Sequence, residues 1–133
     1  MPEPILVVLL GTAAAALLMF AVWCWQLRSR NASAVDVAWS FAVGAFGCTA
    51  LALGDGDPTR RLVVGALLAV WSARLGTYLL VDRLLVHRTE DGRYALLRRS
   101  KGPAWNRWAL GFFAAQALFV TLFALPAVTL AYD

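Results

Sequence analysis

The residues of this 133-residue chain that have chemistry to offer are few, and they sit where apolar sequence dominates. Asp36, Trp39, Trp71, Arg74, Tyr78, Asp82 and Gln116 all fall inside or at the edge of long hydrophobic runs. Trp71, Arg74, Tyr78 and Asp82 follow one another at spacings of three, four and four, which places them on one helical face. An arginine on a membrane-spanning helix costs on the order of 2.5–3.5 kcal/mol on insertion scales, so such residues usually face protein or water and mark function. Helical rise from the basic ends of the runs puts Asp36 at the surface, Asp82 just inside it, and Tyr78, Gln116 and Arg74 at roughly 10–16 Å depth. Facing one cavity, they form an intramembrane polar site that opens to the cytoplasm. Plainer roles compete at each position. Arg74 can be a clamp pairing with Asp36 or Asp82, while Tyr78, Trp39 and Trp71 read more simply as packed aromatics and Gln116 alone as a bridge between two helices.

The elements that must carry these side chains follow from composition. The chain is 61% hydrophobic and 15% charged with a mean hydropathy of +0.67, whereas soluble domains are near half apolar and a quarter charged. Apolar runs at about 5–27, 35–53, 62–85 and 108–132 are each long enough to cross a hydrocarbon core of about 30 Å. The fold class is therefore all-α, an integral membrane bundle of four transmembrane helices forming a single domain over residues 1–133. Gly54-Asp55-Gly56-Asp57-Pro58 is a turn between the second and third runs. Gly65, Ala69, Ala73 and Thr77 recur every fourth residue and form a small-residue stripe for close helix packing. Between the third and fourth runs, Thr89-Glu90-Asp91 is a capping signal, Arg93 to Arg99 a short basic helix at the membrane surface, and Gly102-Pro103 a stop. Cys24 and Cys48 lie at different depths, roughly 15 Å apart by helical rise, too far for a disulfide.

Lysine and arginine are distributed unevenly. The first and third loops with their flanks carry nine, from Arg28 and Arg30 through Arg83 to Arg107, and the second loop carries only Arg60 and Arg61. The positive-inside rule then places loops one and three in the cytoplasm and both ends of the chain outside. This accounts for the net charge of +4 without a nucleic-acid partner. Arg93, Arg98, Arg99 and Lys101 hold anionic lipid or, less simply, the phosphates of a cofactor. His87 has no metal-ligand companion, and no metal cluster, P-loop or dinucleotide fingerprint is present.

Asn31-Ala32-Ser33-Ala34-Val35-Asp36-Val37-Ala38-Trp39, Trp71 to Leu79, Glu90-Asp91-Gly92-Arg93-Tyr94, and Phe112 to Ala117 followed by Leu125-Pro126 appear in an order that resembles the bacterial membrane family catalogued as domain of unknown function 1295. That family is similar to steroid 5-alpha-reductases, which use NADPH to reduce a double bond conjugated to a ketone. The resemblance implies a lipid- or steroid-like substrate entering from the bilayer and NADPH entering from the cytoplasm of a bacterial inner membrane. It implies catalytic roles for Asp36, Arg74 and Tyr78. Asp36 and Tyr78 would orient or protonate the carbonyl end, and Arg74 would stabilise enolate-like charge or a phosphate. Trp39, Trp71 and Gln116 are then expected against the substrate, and Asp82, Arg93 and Arg98 against the cofactor. Family members continue for further helices carrying a nucleotide motif, so the chain reads as an N-terminal half whose missing helices come from the same polypeptide or a partner chain. The alternatives are a non-catalytic four-helix assembly module or a small exporter.

Overall fold

The computed structural model describes residues 3–133. Helix α1 runs Pro4–Ser29, α2 Ala34–Leu53, α3 Pro58–Leu79, α4 Gly92–Lys101 and α5 Trp105–Tyr132. Among the described residues there is no strand. Four helices are long and apolar enough to cross a membrane, with the third continuing as a π-helical stretch over Leu80–Val86.

Local chemistry sets the ends. Proline opens α1 and α3, where the missing N–H costs nothing. Asp57 caps α3 by accepting from Arg60 N at 2.8 Å, and Asp91 caps α4 by accepting from Arg93 N at 2.8 Å. α1 closes on Arg30 in the left-handed region, with its N–H on Gln26 O at 2.9 Å. The expected turn at 54–58 is present, and it folds back onto α5 through Gly56 N donating to Ala131 O at 2.8 Å. A Cβ at Gly56 would come within 2.9 Å of that same carbonyl oxygen, so only glycine allows this approach.

α5 is the axis of the bundle. Ala109, Phe113, Ala117, Val120, Ala124 and Val128 recur at helical spacing and are buried between α1 and α2. The alanines among them let the helices approach closely. A Thr12–Thr121 hydroxyl pair at 2.8 Å adds a polar tie between α1 and α5. α3 packs on α2 and scarcely touches α5.

The α2–α3 contact corrects the expected packing stripe. It is made by Gly44 against Ser72 and Phe41 against Gly76, where an added Cβ would collide. The Ser72 hydroxyl donates to Ser40 O at 2.7 Å across the same seam. Of the small residues at 65, 69, 73 and 77, Gly65 touches Leu51 whereas Ala69, Ala73 and Thr77 are exposed.

Candidate functional site

The polar groups converge at the end of the bundle where α1 finishes, α2 begins and α4 crosses to α5. Asp36, in the first turn of α2, accepts from Tyr94 Oη at 2.8 Å and from Arg93 Nη2 at 3.3 Å. Tyr94 is only 5% exposed and packs edge-on to Phe112 of α5 at 6.0 Å. Burial first, and then the Asp36 carboxylate, pushes this phenol well above the usual tyrosine range, so it stays protonated and donates.

A second carboxylate holds α4 in place for this contact. Glu90, whose side chain is 8% exposed, accepts from Ala32 N at 2.7 Å and takes Arg98 through both oxygens at 3.0 and 2.8 Å. Arg98 also donates to Gln26 Oε1 at 3.2 Å and lies over the Trp105 ring at 4.9 Å. Gln26 is fully buried and accepts from Trp105 Nε1 at 3.2 Å as well. Ser33 Oγ accepts from Asp91 N at 2.7 Å, and Asp91 pairs with Arg83 and Arg93. Every acid at this end is thus held by groups from another element or from the loop beside it. The result fixes the short α4 against three long helices.

Beyond Tyr94 the wall turns aromatic. Trp39 stands edge-on to Trp71 at 6.4 Å and to Phe123 at 5.2 Å. Its Nε1–H is buried and has no partner among the described residues. Gln116 lies four residues from Phe112 and seven from Phe123, hence on the same face of α5, and it is half-buried with no side-chain bond among the described residues. Trp39, Trp71 and Phe123 thus form an aromatic cluster between α2, α3 and α5, with Asp36 one turn before Trp39 and Gln116 two turns before Phe123.

Arg74 and Tyr78 are not. Both are exposed, Tyr78 by 62%, and among the described residues neither is bonded to Asp36 or Asp82. The reason is helix rotation: Ser72 and Gly76 are pinned against α2, and a residue two places on is turned by about 200° at 3.6 residues per turn. The sequence expectation that these side chains join Asp36 is corrected here. Tyr94, whose Glu-Asp-Gly-Arg-Tyr setting was visible without a hint of its partner, is the tyrosine that bonds Asp36.

The cofactor-side residues also divide. Asp82 faces Arg83 and His87, at 3.2 and 3.3 Å. Arg98 gives its Nε and Nη2 to Glu90 and Gln26. Arg93 is exposed but shared between Asp36 and Asp91. Gln26, Glu90 and Trp105 were missed by sequence reasoning, because a buried amide or carboxylate at the edge of an apolar run looks like surface until its partners arrive. A separate apolar cleft of about 470 Å³ lies between α1, α2 and α5 on the other half of the bundle, bordered by Gly11, Ala14, Ala42 and Phe46. It holds no ionisable side chain and is not where the polar groups meet.

No curated protein and no solved structure matches the chain. The family described as protein of unknown function (DUF1295) matches residues 22–132, a stretch that contains the Asp36–Tyr94 pair, the Glu90–Arg98 bridge and the aromatic cluster around Trp39. The chain is a multi-pass membrane protein, and it belongs to the DUF1295 family.

Proposed function

We propose that the chain forms the substrate side of a membrane reductase that saturates an activated carbon–carbon double bond in a lipid- or steroid-like substrate. The observation that carries this reading is the buried Tyr94 phenol, 2.8 Å from the Asp36 carboxylate, which lies one helical turn before the Trp39–Trp71–Phe123 cluster. Reduction of an alkene conjugated to a ketone builds negative charge on the ketone oxygen, and a preorganised donor at that point lowers the barrier. Tyr94 Oη–H becomes such a donor when the ketone oxygen takes its one proton in place of Asp36, which keeps Arg93 as its partner. The half-buried Gln116 amide gives a further polar handle, while Trp71 and Phe123 suit an apolar ring or chain.

NADPH is the hydride source that family resemblance implies. Asp82, Arg93 and Arg98 do not form a cradle for it, since each is engaged by neighbouring protein groups. The side chains of this bundle accordingly act at the carbonyl end of the substrate alone. Arg74 is a cation exposed on an apolar helix without a partner among the described residues, a placement that favours coverage by further helices or by an anionic group. In the bilayer of a bacterial inner membrane, the basic end faces the cytoplasm with α4 along the interface and both ends of the chain outside.

Titrating the purified chain in detergent with a conjugated steroid ketone, and following tryptophan fluorescence from Trp39 and Trp71, tests the binding half. Tyr94→Phe and Asp36→Asn are each expected to weaken binding about tenfold, the worth of one hydrogen bond in a charged pair. NADPH consumption by membranes containing the protein tests the reaction. Undiminished affinity in both variants removes the assignment. Exposed Ala69, Ala73 and Thr77 favour, as a second reading, an assembly module. Under that reading Ala73→Leu breaks a complex and Tyr94→Phe changes no binding.

A further inference from the structure

The basic end carries more cations than its acids can neutralise, and the structure shows which ones are left over. Asp36, Asp82, Glu90 and Asp91 are each within ion-pair distance of Arg83, Arg93 or Arg98. Among the described residues, no carboxylate pairs with Arg28, Arg30, Arg88, Arg99, Lys101 or Arg107. Arg88 turns back to Leu85 O at 3.5 Å, and the other five lie around one rim. α1 and α5 are tied there by Trp23 Nε1 donating to Asn106 O at 2.9 Å, which brings the end of α1, with Arg28 and Arg30, beside Arg107. Arg99 and Lys101 occupy the last turn of α4, directly before α5.

Beneath the rim lies a belt of rings. Trp105 stacks on Trp108 at 5.7 Å, Trp108 on Phe112 at 5.3 Å, and Lys101 Nζ sits over the Trp108 ring at 5.1 Å. Indole rings prefer the boundary between hydrocarbon and headgroups. Cations immediately beyond such a belt stand at headgroup level, where unpaired like charges repel until an anion joins them.

We infer that Arg28, Arg30, Arg99, Lys101 and Arg107 form a docking surface for anionic phospholipid headgroups, and that Arg93 and Arg98, which the sequence alone groups with them, take no part. Arg98 is closed into the Glu90 pair and Arg93 is shared between two carboxylates. The tryptophan belt selects a lipid headgroup over a soluble polyanion, because it fixes the cations at the membrane boundary. This inference is independent of the chemistry proposed at Asp36 and Tyr94.

The test is the relative association of spin-labelled phosphatidylglycerol and phosphatidylcholine with the full chain in phosphatidylcholine vesicles. Each surface cation near anionic headgroups is worth about a fivefold change in association. Phosphatidylglycerol is therefore expected to be favoured several-fold, with the preference collapsing at high salt. The triple variant Arg99→Gln, Lys101→Gln, Arg107→Gln is expected to lose most of it, with helicity by circular dichroism unchanged. Arg93→Gln is expected to keep it. Equal association of the two lipids with the unsubstituted chain overturns the proposal, as does a preference that survives the triple variant. Displacement of the labelled lipid by a short oligonucleotide as readily as by unlabelled phosphatidylglycerol overturns it too.

Discussion

The two ends of the bundle use polar side chains in opposite ways. At the end where α2 turns into α3, polar groups finish the backbone. Arg61 donates to Leu51 O at 2.7 Å and Ala52 O at 3.2 Å, and Asp57 caps α3. The Asp57–Arg60 and Arg60–Asp133 pairs there are solvent-exposed and worth little. At the basic end, polar side chains bind one another across elements: Asp36 with Tyr94 and Arg93, and Glu90 with Arg98, which in turn holds Gln26. Helix ends need only their orphan carbonyls and amides answered. A buried phenol on a carboxylate exceeds that need, and this surplus separates a site from a cap.

Substitutions can break or sharpen that contrast. The largest effect is expected from Glu90→Ala, which strands the Arg98 guanidinium and the Ala32 N–H together. Removing one partner of a buried pair costs about 3–5 kcal/mol, and partial exposure of Arg98 puts this case near the lower figure. Thermal unfolding in detergent should show the loss, with α4 released and Tyr94 opened to aqueous quenchers. Arg61→Ala at the other end should cost only about 1 kcal/mol, the scale of a cap, and should leave binding of a conjugated ketone unchanged. If Arg61→Ala weakens ketone binding as Tyr94→Phe does, the two ends are not distinct in the way described. The smallest effect is expected for Arg74→Gln. With no partner among the described residues, it should shift stability by less than about 0.5 kcal/mol, whereas a clamp to Asp36 or Asp82 would require a clear drop in the unfolding midpoint.

Much of the frame was legible in the residues because its causes are local. The four long apolar runs become the helices that can cross a membrane, since run length against bilayer thickness is a property of consecutive residues. The same holds for the turn at 54–58 and the acidic cap at Asp91, which act within a few residues of themselves. Asp36, Trp39, Trp71 and Gln116 were also recognisable as polar or amphipathic residues that an apolar span does not need.

Which of them meet was decided only by packing. The seam of Gly44 on Ser72 and Phe41 on Gly76 sets the rotation of α3, and that rotation turns Arg74 and Tyr78 outward although their spacing had grouped them with Asp82. Tyr94 reaches Asp36 across 58 residues of chain because Glu90 and Arg98 dock α4 onto α1, α2 and α5. Periodicity tells which residues share a face of one helix. The direction of that face depends on the shape of a neighbour far away in sequence, so only the folded bundle could choose the partner of Asp36.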